Sequence, residues 1–275
     1  MNLSIAFFVF ETNIYIEKKF LKIMKDKEKN LFYILGSFFV ANALLAEFIG
    51  IKIFSLEKSL GIEQFNLSFF GIDNLSFNLT AGVLLWPVVF IMTDIINEYF
   101  GRKGVRFMSF TAAALITYAY FMIYFSMGLH PADFWITRDT PSGSLNMELA
   151  FDTIFGQGLW IIVGSLVAFL IGQLVDVTVF HFVKAKTGSS KIWLRATGST
   201  LVSQFIDSFI VLFIAFYIGA GWDLKLVLAI GLVNYIYKFI IAVFLTPILY
   251  LLHYLIDLYL GKELAEKLQL EATNK

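Results

Sequence analysis

Two carboxylates and one amide, those of Asp94, Glu98 and Asn97, end an apolar segment that begins near Leu79. A charged side chain in the hydrocarbon of a bilayer costs about 2.5–3.5 kcal/mol on insertion scales. Such groups therefore persist where they face protein or a water-filled cavity. The segment predicts the polar wall of a site inside a membrane protein.

Further polar side chains interrupt the later apolar segments. Gln173 and Asp176 have the same Gln-x-x-Asp spacing as Gln204 and Asp207. Residues three apart share one face of a helix, so each pair can present an amide and a carboxylate to one ligand. The predicted substrate-binding or proton-relay residues are Asp94, Asn97, Glu98, Gln173, Asp176, Gln204 and Asp207, and the predicted supporting residues are Asn42, Glu47, Trp86, Asn234 and Lys238.

A structural interpretation of these side chains stands beside the functional one. Hydrogen bonds between helices, at about 0.6 kcal/mol each, and a Lys238–aspartate pair could simply hold a bundle together. Glu47 could reach toward the interface, and Trp86 could be an aromatic belt residue. The number of ionisable groups exceeds what packing requires, which favours a site. Pro87 and Pro247 are expected to kink the second and sixth spans.

The composition places the chain in a membrane. Of its 275 residues, 59% are hydrophobic and 15% charged, whereas a soluble domain has about 45–50% apolar and 25% charged residues. There is no cysteine, which excludes disulfides, thiolate metal sites and cysteine nucleophiles. The three histidines are far apart, so no metal or other cofactor is predicted. The net charge of zero gives no reason to expect a nucleic-acid partner.

The predicted fold class is all-α, a polytopic membrane bundle of six transmembrane helices. Residues 31–255 form the transmembrane domain, residues 1–30 a cytoplasmic or interfacial segment, and residues 256–275 a cytoplasmic tail. Within the long loop at 128–158, an interfacial helix is expected near Met147–Phe155. The expected spans are Leu31–Phe54, Leu79–Asn97, Val105–Met127, Leu159–His181, Leu194–Ile218 and Leu226–His253.

The distribution of basic residues predicts the orientation. Most of the 21 Lys and Arg residues lie in the two termini and in the connections after the second and fourth spans. Cytoplasmic loops of membrane proteins carry such an excess of positive charge. Both termini are therefore expected in the cytoplasm.

The polar segments also resemble a known family, the queuosine precursor transporters. The resemblance covers about Leu31 to Leu255 and keeps the order and spacing of the segments. Its motifs are Trp86-Pro-Val-Val-Phe-Ile-Met-Thr-Asp-Ile-Ile-Asn-Glu-Tyr-Phe-Gly-Arg-Lys103, Ser165-Leu-Val-Ala-Phe-Leu-Ile-Gly-Gln-Leu-Val-Asp176, Leu194-Arg-Ala-Thr-Gly-Ser-Thr200, Ser203-Gln-Phe-Ile-Asp-Ser208, Tyr237-Lys238 and Thr246-Pro247.

The resemblance implies an importer of 7-deazaguanine bases, such as preQ0 and preQ1, in the inner membrane of a bacterium. Its partners would be the lipid bilayer and the small-molecule substrate, and whether it forms a homodimer stays open. Carboxylates accept the adjacent N–H donors of a guanine-like edge, amides recognise its other polar positions, and aromatic faces stack on the ring. Lys238 is expected to pair with one of the aspartates.

Two other functions remain open at this point. The chain has no G-x-x-x-x-G-K-[ST] motif, so a substrate-binding subunit driven by a separate ATPase is one alternative. An intramembrane enzyme, such as a diaspartyl protease or a lipid phosphotransferase, is a more distant one. It is disfavoured because neither Gly-x-Gly-Asp nor Asp-Gly-x-x-Ala-Arg is present. The prediction is a carrier, not an enzyme.

Overall fold

A bundle of long helices makes up most of the described chain, and three short antiparallel strand pairs lie in its connections. The computed structural model describes residues 2–141, 143–156, 159–187 and 192–274. The helices are α1 Asn2–Ile49, α2 Leu56–Leu60, α3 Trp86–Met127, α4 Asp133–Ile136, α5 Met147–Gly156, α6 Leu159–Thr187, α7 Ile192–Leu212, α8 Leu224–Leu260 and α9 Lys262–Asn274. A 3₁₀ turn over Ala81–Leu84 precedes α3, and a π-helix over Phe213–Ile218 extends α7.

Five helical segments of the described chain are long and apolar enough to cross a membrane. Six spans were predicted. The helical parts of the second and third predicted spans lie on one continuous element, α3, which accounts for the different number. The candidate segments are Lys22–Ile49, Trp86–Met127, Met147–Thr187 (which includes the undescribed residues 157–158), Ala196–Ile218 and Leu224–Leu260.

Helix α3 folds back on itself at Gly101, whose backbone is not helical (φ 67°, ψ −169°). The hydroxyls of Thr93 and Ser109 both donate to Oε1 of Gln173, at 3.1 and 3.3 Å. In a straight helix these two residues would lie about 24 Å apart. Since both reach one oxygen atom, the halves of α3 on either side of Gly101 run next to each other as a hairpin.

Both prolines of the predicted spans lie in helices, but only one is internal. Pro247 lies inside α8, as predicted. Pro87 was expected inside a span, and this is wrong, because it occupies the first turn of α3. Proline is tolerated there because the first N–H groups of a helix have no partner within the helix. Leu79, the predicted start of that span, lies instead in a strand.

The first connection contains strands that the all-α prediction missed. β1 (Ile53–Ser55) pairs with β4 (Asn78–Thr80), and β2 (Leu67–Phe69) pairs with β3 (Ile72–Leu75), both antiparallel. The fully buried Glu57 fixes this layer, because its Oε1 accepts a hydrogen bond from the backbone N–H of Phe77 at 2.8 Å.

The second long connection contains a β-hairpin and the expected short helix. β5 (Thr137–Thr140) pairs with β6 (Gly143–Asn146). The helix predicted near Met147–Phe155 is present as α5. Short strands of three or four residues carry too little periodicity to be predicted from the sequence.

The middle of α1, the C-terminal helix and the Gly101 turn meet at one end of the bundle. Nζ of Lys27 in α1 donates to the carbonyl of Tyr259 near the end of α8, at 2.8 Å. Helix α9 follows directly, and its Ala272 packs against Gly101. The buried side chains of Leu264, Ala265 and Leu268 join α9 to the main apolar core. The basic residues Lys27, Arg102 and Lys103 therefore lie at the same end of the bundle.

Gly101 is expected to tolerate no side chain. A Cβ there would meet the carbonyl oxygen of Ala272 at 2.9 Å, and its backbone conformation is one that other residues rarely adopt. Gly101→Ala should lower the free energy of unfolding by about 1–3 kcal/mol or more, measured as a lower thermal midpoint of the detergent-purified protein. Gly198→Ala in α7 is the control, because a Cβ there meets nothing within 4 Å. Equal midpoints for the two variants would contradict the proposed turn.

Candidate functional site

The first candidate site is a cavity between α3, α7 and α8, here called the Asp94 chamber. Its wall is largely apolar, with Trp86, Phe90 and Leu245 among the lining residues. A mostly apolar cavity with a few polar groups facing one space is typical of a small-molecule site. Its polar lining residues are Asp94, Thr197, Thr200, Gln204, Lys238 and Thr246.

Asp94 supplies the carboxylate of this chamber. Its side chain is 4% exposed, and its Oδ2 accepts a hydrogen bond from the hydroxyl of Thr200 at 3.4 Å. Thr200 lies on α7, one helical turn before Gln204, so the two side chains share a face. This hydrogen bond joins the first half of α3 to α7.

Gln204 supplies the amide. It is 4% exposed, and its Nε2 has no hydrogen-bond partner among the described residues. A buried polar group without a partner is costly, by about 1–3 kcal/mol, and therefore calls for water or a ligand. The chamber thus offers an acceptor on Asp94 and an unused donor on Gln204.

Lys238 and Asp207 form an ion pair on the wall of the chamber. Nζ of Lys238 contacts Oδ2 of Asp207, with side-chain exposures of 10% and 18%. The prediction that Lys238 pairs with an aspartate is confirmed. Lys238 lines the Asp94 chamber, whereas Asp207 lines a second cavity on the other side of the pair.

This second cavity, here called the Glu47 chamber, lies between α1, α6, α7 and α8. The hydroxyl of Ser165 donates to Oε1 of Glu47, which joins α6 to α1. Nδ2 of Asn234 donates to the Ile230 carbonyl within its own helix, at 3.0 Å. The polar residues that line the chamber are Glu47, Thr80, Ser165, Asp207, Ser208, Asn234 and Lys238.

Glu98 lies away from both chambers. It forms an ion pair with Lys184 of α6 at 3.2 Å, and both side chains are at most 3% exposed. Nζ of Lys184 also contacts the carbonyls of Glu98 and of Gln269 in α9, at 3.4 and 3.5 Å. This pair joins the Gly101 hairpin to α6 and the C-terminal helix. A substrate role for Glu98 stays a prediction.

Gln173 and Asp176, the first Gln-x-x-Asp pair, lie outside the Asp94 chamber and contact residues next to its lining. Gln173 joins the two halves of α3 through Thr93 and Ser109, and Thr93 is adjacent to Asp94. Oδ1 of Asp176 accepts a hydrogen bond from the hydroxyl of Ser203, adjacent to Gln204, at 3.3 Å. Both residues thus contact the neighbours of chamber residues, and their predicted relay role is not tested by this geometry.

Two predicted residues take other positions. Asn97 is fully buried, and neither polar atom of its side chain has a hydrogen-bond partner in the described chain. Asn42 is buried and donates to the Phe38 carbonyl of its own helix at 2.8 Å. In the described residues, no three His, Asp or Glu side chains converge as a metal site requires.

Sequence reasoning missed the hydroxyls of the site. Thr197, Thr200 and Gln204 line one chamber from one helix, at spacings of three and four residues. The hydroxyls of Thr197 and Thr246 lie 3.1 Å apart and join α7 to α8. The helical spacing upstream of Gln204 was a signal that could have identified Thr197 and Thr200. Ser208, four residues after Gln204, follows the same rule.

Comparison with known proteins places the chain among membrane transporters. A family described as "Putative vitamin uptake transporter" matches residues 80–252. The chain is 31% identical over 184 residues to the "Probable queuosine precursor transporter" of Bacillus subtilis (strain 168), which covers 63% of this chain and 72% of the relative. It is 29% identical over 208 residues to the "Queuosine precursor transporter" of Escherichia coli (strain K12), which covers 72% of this chain and 81% of the relative.

A third relative agrees with these two. The "Probable queuosine precursor transporter" of Haemophilus influenzae (strain ATCC 51907 / DSM 11121 / KW20 / Rd) is 26% identical over 178 residues, which covers 63% of this chain and 67% of the relative. No solved structure matches the chain. The matched residues include both chambers apart from the end of α1. This chain is therefore a multi-pass membrane protein that belongs to the family described as "Putative vitamin uptake transporter".

Proposed function

We propose that this chain imports queuosine precursors, 7-deazaguanine bases such as preQ0 and preQ1, into the bacterial cytoplasm. The observation that carries the proposal is the convergence of Asp94, Gln204 and Lys238, from three different helices, on one cavity beside Trp86. The names of the relatives in Bacillus, Haemophilus and Escherichia support this class of substrate.

The chemistry of the Asp94 chamber suits such a base. The amino and ring N–H groups of a guanine-like edge form adjacent donors, which one carboxylate accepts in a bidentate manner. Asp94 is the proposed acceptor, and the unpartnered Nε2 of Gln204 is the proposed donor to the ring carbonyl. Trp86 offers an aromatic face for stacking. Binding of the base through these groups involves no covalent step, which agrees with the proposed transport activity.

We also propose six passages through the inner membrane, with both termini in the cytoplasm. The two halves of α3 run side by side, which supports two passages for this one element. One end of the bundle contains the hairpin turn with Arg102 and Lys103, the side chain of Lys27, and helix α9. The excess of positive charge at that end supports a cytoplasmic location for it.

The substrate is tested by rescue of the modified base. The chain is expressed in bacteria that lack both synthesis and import of queuosine precursors, preQ0 or preQ1 is supplied, and tRNA is assayed for queuosine. The proposal predicts that queuosine returns only in cells that carry the chain. Absence of queuosine with both bases, in cells where the protein is present in the membrane, would overturn the proposed substrate.

Asp94→Asn is expected to reduce uptake of radiolabelled preQ1 by about 10- to 100-fold, because hydrogen bonds to a charged group contribute about 1.5–3 kcal/mol. Uptake is measured in cells and divided by the amount of protein in the membrane. Asp139→Asn, on the exposed strand β5, is the matched control and should keep full uptake. Unchanged uptake by Asp94→Asn would count against the chamber as the binding site.

Glu98→Gln is expected to act on stability rather than on recognition. Removing one partner of a buried ion pair costs about 3–5 kcal/mol. The thermal midpoint in detergent should therefore fall in Glu98→Gln and in Lys184→Met, and should recover in part when both changes are combined. A Glu98→Gln protein of normal stability that no longer binds preQ1 would instead identify Glu98 as a substrate ligand.

A further inference from the structure

We propose that the Glu47 chamber is a second binding site for the same class of ligand, a small planar heterocycle with several N–H donors. The ligand would occupy the two chambers in turn during transport. This inference rests on the proposed function, and it adds to it a second site that the family's names do not imply.

The two chambers share a wall. Val83, Trp86 and Lys238 line both of them. The cavities are therefore adjacent and meet at these three residues. The ring of Trp86 is held from behind by Phe169, at a centroid distance of 5.3 Å. A ligand that leaves one chamber past these side chains enters the other.

Helix α7 presents one unsatisfied polar group to each chamber. Oγ of Ser208 lines the Glu47 chamber, is in a side chain only 1% exposed, and has no hydrogen-bond partner among residues the structure describes. Nε2 of Gln204 is the corresponding group in the Asp94 chamber. The two residues are four apart, which places them on one helix face about 6 Å apart along the axis.

The polar side chains that line the Glu47 chamber indicate the class of ligand. Its lining contains the carboxylates of Glu47 and Asp207 but one ammonium group, that of Lys238. Asn234 uses its Nδ2 within its own helix, which leaves its Oδ1 as an acceptor. A surplus of hydrogen-bond acceptors favours a ligand with several N–H donors and disfavours an anion. A 7-deazaguanine with an aminomethyl group has several N–H donors and is not an anion.

The Lys238–Asp207 pair forms the polar part of the partition. Lys238 borders both chambers, while Asp207 borders the Glu47 chamber. The ammonium group of lysine is carried on a flexible four-carbon stem, so it can move while the backbone of α8 stays in place. Movement of this side chain would open the passage and leave Asp207 as an additional acceptor for the ligand.

The test counts binding sites on the purified full-length chain by equilibrium dialysis with radiolabelled preQ1. The wild type should bind two equivalents per chain. Ser208→Ala should weaken one equivalent by about 3- to 10-fold, the loss expected for one hydrogen bond, and leave the other unchanged. Its thermal midpoint should not fall, because the deleted hydroxyl has no hydrogen-bond partner within the described ranges of the chain.

Two further variants complete the design. Asn234→Leu should weaken the same equivalent as Ser208→Ala, and Asp94→Asn should weaken the other. Thr178→Ala is the control, because this exposed hydroxyl of α6 only bonds to the Leu174 carbonyl of its own helix. It should retain both equivalents.

The outcomes separate the two proposals. Binding of a single equivalent by the wild type, with Ser208→Ala and Asn234→Leu unchanged, would overturn the second site and leave the proposed function intact. Weakening of one and the same equivalent by Ser208→Ala and Asp94→Asn would also overturn it. No binding of preQ1 or preQ0 to the wild type would reject the proposed substrate, and the second site with it.

Discussion

Several largely buried charged side chains in the spanning helices of the described chain meet one another or a cavity, because hydrocarbon offers them no partner. Lys238 pairs with Asp207, and Lys184 pairs with Glu98. Asp94 faces a chamber. The first pair lies between two cavities and the second lies at the end where α9 packs. The same constraint therefore produces both the binding surface and the closure of the bundle.

The turn at Gly101 converts this constraint into a particular site. It brings Thr93 and Ser109 to one oxygen of Gln173, and Asp94, next to Thr93, accepts a hydrogen bond from Thr200 of α7. This turn also depends on the C-terminal helix α9, because Ala272 lies so close to Gly101 that only a hydrogen atom fits between them. Helix α9 is thus part of the architecture of the site, although none of its described residues lines a chamber.

The sequence predicted the membrane class, the approximate helical segments and many of the polar positions. Charge in an apolar segment is conspicuous, so Asp94, Asp207 and Lys238 could be identified from composition and spacing alone. Which charge meets which could not. Glu98 pairs with Lys184, a residue 86 positions away, and only the packing of α6 against α3 decides this partner.

Local features also differed from expectation for physical reasons. Pro87 begins a helix rather than bending one, because a proline signals a break without indicating on which side the helix lies. The strands between Ile53 and Thr80 are too short to give a pattern. Val83, Trp86 and Lys238 line both chambers and so divide the polar residues between them, and no spacing rule gives the direction of these side chains.

The most direct measurement is an experimental structure of the full chain with preQ1 bound. The account predicts the base in the Asp94 chamber beside Trp86, with its N–H edge at hydrogen-bonding distance from the Asp94 carboxylate and its carbonyl next to the Gln204 amide. A base bound elsewhere, with Asp94 and Gln204 satisfied by protein groups and no ligand between them, would contradict it.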